Sequence, residues 1–368
     1  MVIKKILSIG FFPPRRSGAA ITNHEICNKL SLSNKVIALS PLLEVHAKMP
    51  VDKYFKTKKY SLVKLKNKLP PASKRVYQNT ITEIGKRFSP EILNYINSFQ
   101  PDIVFIMHES ILWYLEGYLL KMNVPFYCLC HGSPITQLSD YGSIERDYFL
   151  NTLSQMKKVF VISKYLSDLL KSFHIRSSLP FGDGLNTNLF NSYKRKQVSS
   201  QKKIQIMHVS NFKEGKQINE FYRLASIMKD RKNLKFLAIG NPHLNEAVID
   251  IENNVVNIAW LPYEQTLDFM NKADILVVTS QREGLSRIIR ESQLLGKVPI
   301  APDLEVFRES IENEATGFLY DVDDERSLSI TLQRIIAKFE MVKYLICAKR
   351  KYFFQQYGIP KLINEDIW

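Results

Sequence analysis

Short apolar runs alternate with amphipathic stretches along the whole chain. In the first half, runs of strand length predict β-strands at 3–10, 35–40, 102–108, 125–132 and 158–163. The stretches between them have helical spacing, as in 20–31. Runs that are apolar at nearly every position are typical of parallel strands covered on both faces. The first half is therefore predicted to form a parallel, doubly wound α/β sheet.

The same pattern then starts again. Further strands are predicted at 203–210, 233–240, 254–261, 273–280 and 297–302, again separated by helical stretches. A polar, basic segment at 186–203 lacks periodicity and is predicted to be the linker. We predict an α/β protein with two tandem Rossmann-like doubly wound domains facing across a cleft. Their limits are 1–190 and 191–345, and 346–368 is predicted to form helices that pack back on the N-terminal domain.

The composition is that of a globular protein, with 45% hydrophobic and 24% charged residues. No stretch reaches the roughly 18 consecutive apolar residues that a membrane-spanning helix needs. Four cysteines without metal-ligand spacing indicate a reducing, cytoplasmic setting. Cys128 and Cys130 precede His131, but alternate residues of one strand share a face, so both are predicted to be core residues rather than metal ligands.

The positive charge is concentrated in the first half of the chain. The net charge is +15, and residues 1–190 carry +12 of it. Segment 48–88 holds twelve basic residues against two acidic ones, interleaved with apolar residues: Tyr54, Phe55, Tyr60, Leu62, Leu65 and Tyr77. This composition suits peripheral docking on an anionic membrane surface, where each basic residue contributes about 1 kcal/mol. A solvated loop or attraction to nucleic acid would explain the charge as well.

The stretch TSQREGLSRIIRES at 279–292 sets two glutamates eight positions apart. An apolar strand precedes it, and helical spacing continues to Gly296, the predicted helix stop. Glu283 is therefore predicted at the carboxyl end of a strand, with Glu291 about 12 Å further along the helix. The N–H groups of Gly284 and Leu285 at the helix start would form a phosphate site. Such an arrangement suits an extended anionic ligand with hydroxyls at both ends, which describes a nucleotide sugar.

Several motifs together resemble the retaining glycosyltransferases of family 4, which have the two-domain GT-B fold. They are the E-x7-E spacing in EGLSRIIRE, the following LLGKVPIAP, ATGFLYDVDD at 315–324, FGDGLNTNLF at 181–190, HVSNFKEGKQINEF at 208–221 and VFVISKYLSDLL before the linker. The resemblance covers nearly the whole chain, and its specificity comes from the combination.

The resemblance implies a role for each of several residues. Glu283 would bind donor-sugar hydroxyls near the reacting centre, and Glu291 would bind the ribose. Lys216 would bind the donor diphosphate, and His131 would contact the donor sugar and the reacting region. Asn211 stands where the family usually has an arginine. The residues alone favour another interpretation of Glu291, a helix glutamate paired with Arg287 at i−4.

The loop after the first strand, FFPPRRSGAA, has one glycine where the family usually has two. Gly18 would let the backbone approach the ligands, and Arg15 and Arg16 beside it suggest an anionic acceptor. The reaction implied is transfer of a glycosyl group, of the hexosyltransferase type, from a nucleotide sugar with retention and without a metal ion or other cofactor. The acceptor would be a lipid-linked saccharide in surface polysaccharide or glycolipid synthesis, reached from the cytoplasm at the inner face of the membrane.

Other classes of protein remain in view. A nucleotide-binding oxidoreductase would need G-x-G-x-x-G after the first strand, and IGFFPPRRSG lacks it. Nucleic-acid binding would explain the charge but not the two glutamates, so no nucleic-acid partner is expected. A glycosyltransferase with a small soluble acceptor and a non-catalytic sugar-nucleotide-binding protein of the same fold both fit the residues.

Overall fold

The computed structural model describes residues 3–13, 15, 17–43, 59–69, 78–193, 203–241, 243–244, 247–250 and 254–359. The chain divides into two compact units. The N-terminal unit comprises Met1–Leu185 with Ile359–Trp368, and the C-terminal unit comprises Asn186–Gly358. The unit boundary therefore lies slightly before the predicted one at residue 190.

The N-terminal unit is built on six parallel strands. They are β1 (Lys5–Ile9), β2 (Lys35–Leu43), β3 (Ser61–Leu69), β4 (Ile103–Ile106), β5 (Phe126–Cys130) and β6 (Lys158–Val161). Their order across the sheet is β3-β2-β1-β4-β5-β6, which is the Rossmann order. Cys128 and Cys130 are completely buried in β5, so their prediction as core residues is confirmed.

Helices connect these strands as the alternating pattern predicts. They are α1 (Gly18–Leu30), α2 (Gln78–Phe99), α3 (Gly117–Leu120), α4 (Ser143–Ser154) and α5 (Lys164–Ser172). Two 3₁₀ turns, Glu109–Tyr114 and Ile135–Asp140, follow β4 and β5. Ser17 begins α1 because its hydroxyl accepts a hydrogen bond from the Ala20 N–H at 3.2 Å.

The C-terminal unit contains a seven-stranded sheet. Its strands are β7 (Ile204–Val209), β8 (Leu234–Asn241), β9 (Val248–Asp250), β10 (Val255–Ala259), β11 (Ile275–Val277), β12 (Val298–Pro302) and β13 (Phe318–Tyr320). The order is β13-β12-β11-β7-β8-β10-β9, and all pairs are parallel except the antiparallel edge pair β10–β9. The predicted Rossmann-like character of both halves is thus present in the structure.

The helices of this unit lie between and after the strands. They are α6 (Ile218–Ile227), α7 (Tyr263–Lys272), α8 (Arg287–Leu294), α9 (Glu305–Arg308), α10 (Ser327–Ala337), α11 (Phe339–Ala348) and α12 (Arg350–Gln356). Short 3₁₀ turns occupy Thr187–Phe190 and Glu214–Lys216. Gly296, the predicted stop of α8, has a φ of 68°, which only glycine adopts without strain.

Three strands were not predicted. β3 was missed because its lysines belong to the basic segment 48–88, although lysines are common on the edge strand of a sheet. Tyr60 and Leu65 of that segment are buried in the core, so neither can dip into a membrane interface as predicted. Residues 44–58 and 70–77, with Tyr54, Phe55 and Tyr77, lie outside the described residues. β9 and β13, which have three residues each, were also missed.

The last two helices, α11 and α12, belong to the C-terminal unit. The Arg350 guanidinium donates to the Leu294 carbonyl at 2.5 Å, and the Tyr357 hydroxyl donates to Gln293 Oε1 at 2.5 Å, so α12 packs on α8. Only from Ile359 does the chain group with the N-terminal unit, where its N–H donates to the Leu185 carbonyl at 3.0 Å. Among the described residues, none of the helices combines the length and hydrophobicity needed to cross a bilayer.

Candidate functional site

Each sheet has one switch point, where successive connections leave in opposite directions. In the N-terminal unit it lies between β1 and β4, and in the C-terminal unit between β7 and β11. Ligands of open α/β sheets bind beyond the carboxyl ends of the strands at such points. The loops that follow β1 and β7 therefore bound the two candidate binding edges.

The loop after β7 is held by a chain of buried hydrogen bonds. His208 lies between the Val277 carbonyl, 3.0 Å from Nδ1, and the Ser210 hydroxyl, 2.9 Å from Nε2. Nδ1 faces only an acceptor, so it carries the hydrogen, and Nε2 accepts from Ser210. The Ser210 oxygen in turn accepts the Phe212 N–H at 3.2 Å. Burial lowers the pKa of His208 to about 4, so the ring is neutral at pH 7.

Asn211 lies in the middle of this loop, at the switch point. Its Oδ1 is buried and has no hydrogen-bond partner within the described part of the chain. The next residue, Phe212, has a φ of 52°, a left-handed conformation that is uncommon outside glycine. Buried polar atoms are almost always hydrogen-bonded in folded proteins. An acceptor atom left unsatisfied at a sheet switch point indicates a place where a ligand donor can bind.

The structure brings Lys216 and Glu283 together. The Lys216 ammonium donates to Glu283 Oε1 at 2.5 Å, and the two side chains are 27% and 17% exposed. Their loops are joined through the backbone as well. The Gln281 N–H donates to the Gly215 carbonyl at 3.2 Å, and the Thr279 hydroxyl donates to the Lys216 carbonyl at 2.7 Å. A cation and a carboxylate are thus fixed side by side at the carboxyl ends of β7 and β11, within reach of solvent.

Gly284 and Leu285 were predicted at the start of α8. In the structure they precede this helix. α8 begins at Arg287 with Ser286 as its N-cap, and Gly284 and Leu285 are buried in the preceding turn. The sequence placed the helix start too early because Leu285 fits the helical spacing of Ile288 and Ile289. The first N–H groups of α8 therefore belong to later residues.

Glu291 lies in a buried polar triad. Both the Tyr263 hydroxyl, at 2.8 Å, and the Arg287 guanidinium, at 3.1 Å, donate to its Oε1. Arg287 also donates to the Tyr263 hydroxyl at 3.1 Å. The i,i+4 pair that the residues alone favoured is therefore present, but it is buried instead of solvated. Burial, reinforced by Glu291, raises the pKa of Tyr263 well above its usual value.

His131 follows β5 in the N-terminal unit and is buried. Its Nε2 lies 2.8 Å from Asn23 Oδ1 and 3.1 Å from the Met107 carbonyl. The Asn23 amide is oriented by donating to the Phe11 carbonyl at 2.9 Å, so its oxygen faces the histidine. Two acceptors at Nε2 require that nitrogen to carry a hydrogen. The His131 ring stacks on His108, with centroids 5.3 Å apart.

A buried glutamate that the sequence analysis missed holds the backbone at His131. Glu109 Oε2 accepts the His131 N–H at 2.8 Å, and Oε1 accepts the Gly132 N–H at 2.5 Å. Burial raises the pKa of Glu109 to about 7, against the opposing effect of these two hydrogen bonds. His108 Nδ1 lies 3.4 Å from the same carboxylate. A carboxyl group that titrates near neutrality at the carboxyl end of a parallel strand is typical of functional sites.

Gly18 and Arg15 lie around the loop that follows β1. Gly18 was predicted to lie in this loop. In the structure it is the first residue of α1, because the Ser17 cap starts the helix there. The Arg15 guanidinium lies 3.4 Å above the Phe11 ring. Arg16 lies outside the described residues. In the described part of the chain, no group of three or more His, Cys, Asp or Glu side chains could hold a metal ion.

The sequence positions of two site residues that the sequence analysis missed could have identified them. His108 and Glu109 come directly after the strand IVFI, where a polar pair falls at the carboxyl end of the sheet. Asn23 and Tyr263 lie among ordinary helical residues, and nothing in their sequence context predicts the contacts that they make.

The C-terminal unit, which contains Lys216, Glu283 and Glu291, also carries the match to a known family. Residues 190–352 match the family model for glycosyl transferases group 1. The match therefore includes the two joined loops at the β7–β11 switch point and the triad of Glu291.

Solved structures of glycosyltransferases have the same fold. Sucrose-phosphate synthase from Thermosynechococcus elongatus has a TM-score of 0.77 at 15% identity, covering 96% of this chain and 94% of that one. HepE from Anabaena, in complex with UDP and glucose, has a TM-score of 0.72 at 14% identity, covering 99% and 98%. At these identities the likeness concerns the fold, and it confirms the predicted GT-B class of two tandem Rossmann-like domains.

One curated relative matches a part of the chain. It is the N,N'-diacetylbacillosaminyl-diphospho-undecaprenol alpha-1,3-N-acetylgalactosaminyltransferase of Campylobacter jejuni, 25% identical over 138 residues. The match covers 36% of this chain and 36% of the relative.

Proposed function

We propose that this protein is a retaining glycosyltransferase that transfers a sugar from a nucleotide-sugar donor to the hydroxyl of a lipid-linked saccharide. The observation that carries the proposal is the Lys216–Glu283 pair at the β7–β11 switch point, inside the segment that matches glycosyl transferases group 1. A cation for the diphosphate and a carboxylate for sugar hydroxyls are the two groups that a nucleotide sugar needs side by side.

In this proposal the donor binds along the edge of the C-terminal sheet. Lys216 leaves Glu283 for the diphosphate, and Glu283 then accepts hydrogen bonds from the sugar. Asn211 Oδ1 accepts from a donor hydroxyl or amide, and the backbone of Gly284 and Leu285 lines the same turn. Glu291 binds the ribose through Oε2, since both of its hydrogen bonds described above fall on Oε1. The UDP in the HepE complex supports a nucleotide sugar as the donor class.

The chemistry asks for position and charge more than for a covalent intermediate. Lys216 stabilises the negative charge that develops on the leaving diphosphate, without a metal ion or other cofactor. His131, with its hydrogen fixed on Nε2, contacts the donor sugar and the reacting region. Orientation of the two substrates alone can lower the barrier by about 7 to 11 kcal/mol. The leaving phosphate assists the acceptor hydroxyl on the same face of the sugar, which gives retention.

The Campylobacter relative and the positive charge support the proposed acceptor and location. That relative is named for a diphospho-undecaprenol acceptor, which supports a lipid-linked saccharide here, in surface polysaccharide or glycolipid synthesis. Twelve basic residues in 48–88 support reversible docking at the inner face of the membrane from the cytoplasm. Because Tyr60 and Leu65 are buried, lysines rather than these side chains would make the contact.

The docking can be tested with vesicles. Wild-type protein should sediment with anionic vesicles, not with neutral ones, and high salt should release it. Replacing Lys56, Lys58, Lys59, Lys64, Lys66 and Lys68 with serine should abolish sedimentation and spare donor hydrolysis. Sedimentation that survives these substitutions would leave a solvated surface and favour a small soluble acceptor.

The decisive experiment measures nucleotide release from a panel of nucleotide sugars. Glu283→Gln should keep the fold and lose most of the release, whereas Glu291→Gln should chiefly weaken nucleotide binding. Wild-type rates in both purified variants would contradict the donor assignment. Tight nucleotide binding without any hydrolysis or transfer would favour the alternative of a non-catalytic sugar-nucleotide-binding protein.

A further inference from the structure

Arg15 is a largely buried arginine whose charge has no counterpart in the described part of the chain. Its Nη1 is buried and lacks a hydrogen-bond partner, and no described carboxylate pairs with it. Its guanidinium lies 3.4 Å above the Phe11 ring. Stacking on an aromatic face holds the planar group in place but satisfies none of its N–H donors.

The buried arginines of the C-terminal unit, Arg287 and Arg290, and the half-buried Arg350 have polar partners. Arg287 pairs with Glu291 at 3.1 Å, and Arg290 pairs with Glu309 at 3.3 Å and donates to the Ser310 hydroxyl at 2.9 Å. Arg350 donates to three backbone carbonyls. Burial without such partners lowers the pKa of Arg15 from 12.5 to about 10, with Tyr114 opposing the shift. The folded chain therefore keeps an uncompensated cation at a free-energy cost that a bound anion would remove.

A series of ring contacts connects Arg15 to His131. Phe11, on which Arg15 stacks, meets the edge of His108 at a centroid distance of 4.9 Å. His108 stacks on His131 at 5.3 Å. Two residues after Arg15, Ser17 caps α1, a helix of 13 residues whose first N–H groups add positive potential. The unpaired donor, the helix start and the candidate reacting histidine thus belong to the same edge of the N-terminal sheet.

We propose that Arg15 is the binding residue for an oxyanion, phosphate or carboxylate, carried by the acceptor. The assignment to the acceptor rests on the proposed function, in which the donor diphosphate binds Lys216 in the other unit. The acceptor substrate is therefore an anionic molecule, and its charged group is held at the same edge of the sheet as His131 while the hydroxyl reacts. A neutral oligosaccharide would leave Arg15 uncompensated and would be a poor acceptor.

The test measures binding of inorganic phosphate to the full chain, with and without saturating UDP. Titrations are made at constant ionic strength, with chloride as the reference anion. Wild-type protein should bind phosphate in the presence of UDP, and Arg15→Met should weaken this binding about 10- to 100-fold, since a hydrogen bond to a charged group is lost. Arg15→Lys should retain part of the affinity because it keeps the charge without the planar fork.

The matched control is Arg176→Met, an exposed arginine of the same unit that should leave phosphate binding unchanged. Methionine can still pack on Phe11, and thermal unfolding checks that the fold is kept. Should Arg15→Met fail to fold, the comparison of wild type with Arg15→Lys decides.

Three outcomes would overturn the proposal: no phosphate binding by wild type, equal binding by wild type and Arg15→Met, or Arg15-dependent binding that UDP displaces. The last would assign Arg15 to the donor diphosphate. The experiment does not depend on transfer, so an absence of donor hydrolysis would sink the proposed function and leave the anion site standing.

Discussion

The two switch points of this chain are built in opposite ways. At the β7–β11 edge, the two charged groups, Lys216 and Glu283, are partly exposed and neutralise each other. At the β1–β4 edge, the polar groups are buried. There the carboxylate of Glu109 is held by backbone N–H groups, and the cation of Arg15 has no carboxylate partner in the described part of the chain.

Because of this difference, a ligand can replace one partner of the first pair easily, whereas the buried carboxylate of the other edge keeps its partners. An ion pair that solvent can reach contributes at most about 1 kcal/mol, so a ligand phosphate can displace Glu283 from Lys216 at little cost. A buried charge cannot be exchanged so cheaply, and its protonation is coupled to folding. The pKa of Glu109 is raised to about 7, so its ionisation destabilises the folded chain as the pH rises from about 4.5 to about 7. His208, with a lowered pKa, has the opposite dependence.

The largest effect is expected from breaking the exposed pair. Lys216→Ala should lower transfer about 100- to 1000-fold, because in the proposed function Lys216 carries the charge that stabilises the leaving diphosphate. It should raise the dissociation constant of the nucleoside diphosphate much more than that of the nucleoside. Steady-state kinetics and titration calorimetry measure the two effects. Equal weakening of both ligands would remove Lys216 from the phosphate site.

Replacing the buried carboxylate of Glu109 should have a smaller effect on transfer, and this effect should depend on pH. Wild-type transfer should rise as the pH passes about 7, because ionised Glu109 accepts both the His131 and the Gly132 N–H. Glu109→Gln offers one acceptor oxygen, leaves one amide unsatisfied, and should lower kcat/KM about 10- to 100-fold at pH 8. It should also remove the rise at pH 7.

The groups that also face Glu109 are His108, Tyr141, Cys128 and Cys130, and they stay in place in the Glu109 variant. The control is Asp147→Asn, the same chemical change at an exposed position of α4. An unaltered pH profile in Glu109→Gln would assign the rise to another group.

A third prediction concerns the support of the β7 loop. A Cβ on Gly240, where φ is 111°, would lie 1.8 Å from the Ser210 carbonyl oxygen. Gly240→Ala should therefore lower the free energy of unfolding by about 2 kcal/mol or more, through strain and displacement of the loop that holds Asn211. Gly215→Ala is the matched control, since its Cβ would meet nothing within 4 Å. Denaturant unfolding of both variants measures the difference, and similar stabilities would contradict the described approach of Gly240 to Ser210.

The smallest effect is a slope of stability against pH. The folded-state pKa of His208, about 4, lies below the unfolded value of about 6.5, so the unfolded chain takes up the proton first as the pH falls. Because of His208, the free energy of unfolding should therefore fall by about 1.4 kcal/mol for each pH unit as the pH falls from about 6.5 to about 4. His208→Asn should flatten that slope, and His243→Asn, at an exposed position of the same unit, should not. Parallel slopes in wild type and His208→Asn would show that the ring is protonated in the folded chain.

Much of the fold could be predicted because buried parallel strands have apolar runs that a single sequence displays. All ten predicted strands are present, and Gly296 ends α8 as expected. β3 was missed because three lysines interrupt its apolar residues, and a strand at the edge of a sheet needs only a few buried side chains, such as that of Leu65. The helix start at Arg287 was missed because apolar spacing continues into the turn before it.

The positions of candidate-site residues could be predicted where a residue comes directly after a strand in the sequence. Glu283 follows its strand directly, and both it and Lys216 were expected at the donor phosphate and sugar, although their contact with each other was not. The hold of Glu109 on His131 joins residues on neighbouring strands, and the buried triad of Glu291 needs Tyr263 from another helix. Such contacts depend on which elements become neighbours, which hydrophobic periodicity does not specify.

The position of Arg350 decides where this chain can be cut. Its guanidinium caps the carbonyl of Leu294 and also the carbonyls of Phe190 and Tyr193, at 2.8 and 2.9 Å. The entering chain and the last helix of the C-terminal unit are thus one piece, although they are far apart in sequence. A fragment ending at residue 345 would expose those three carbonyls and the apolar surface under α12. Limited proteolysis should therefore leave a resistant fragment that begins near residue 186 and still contains Arg350.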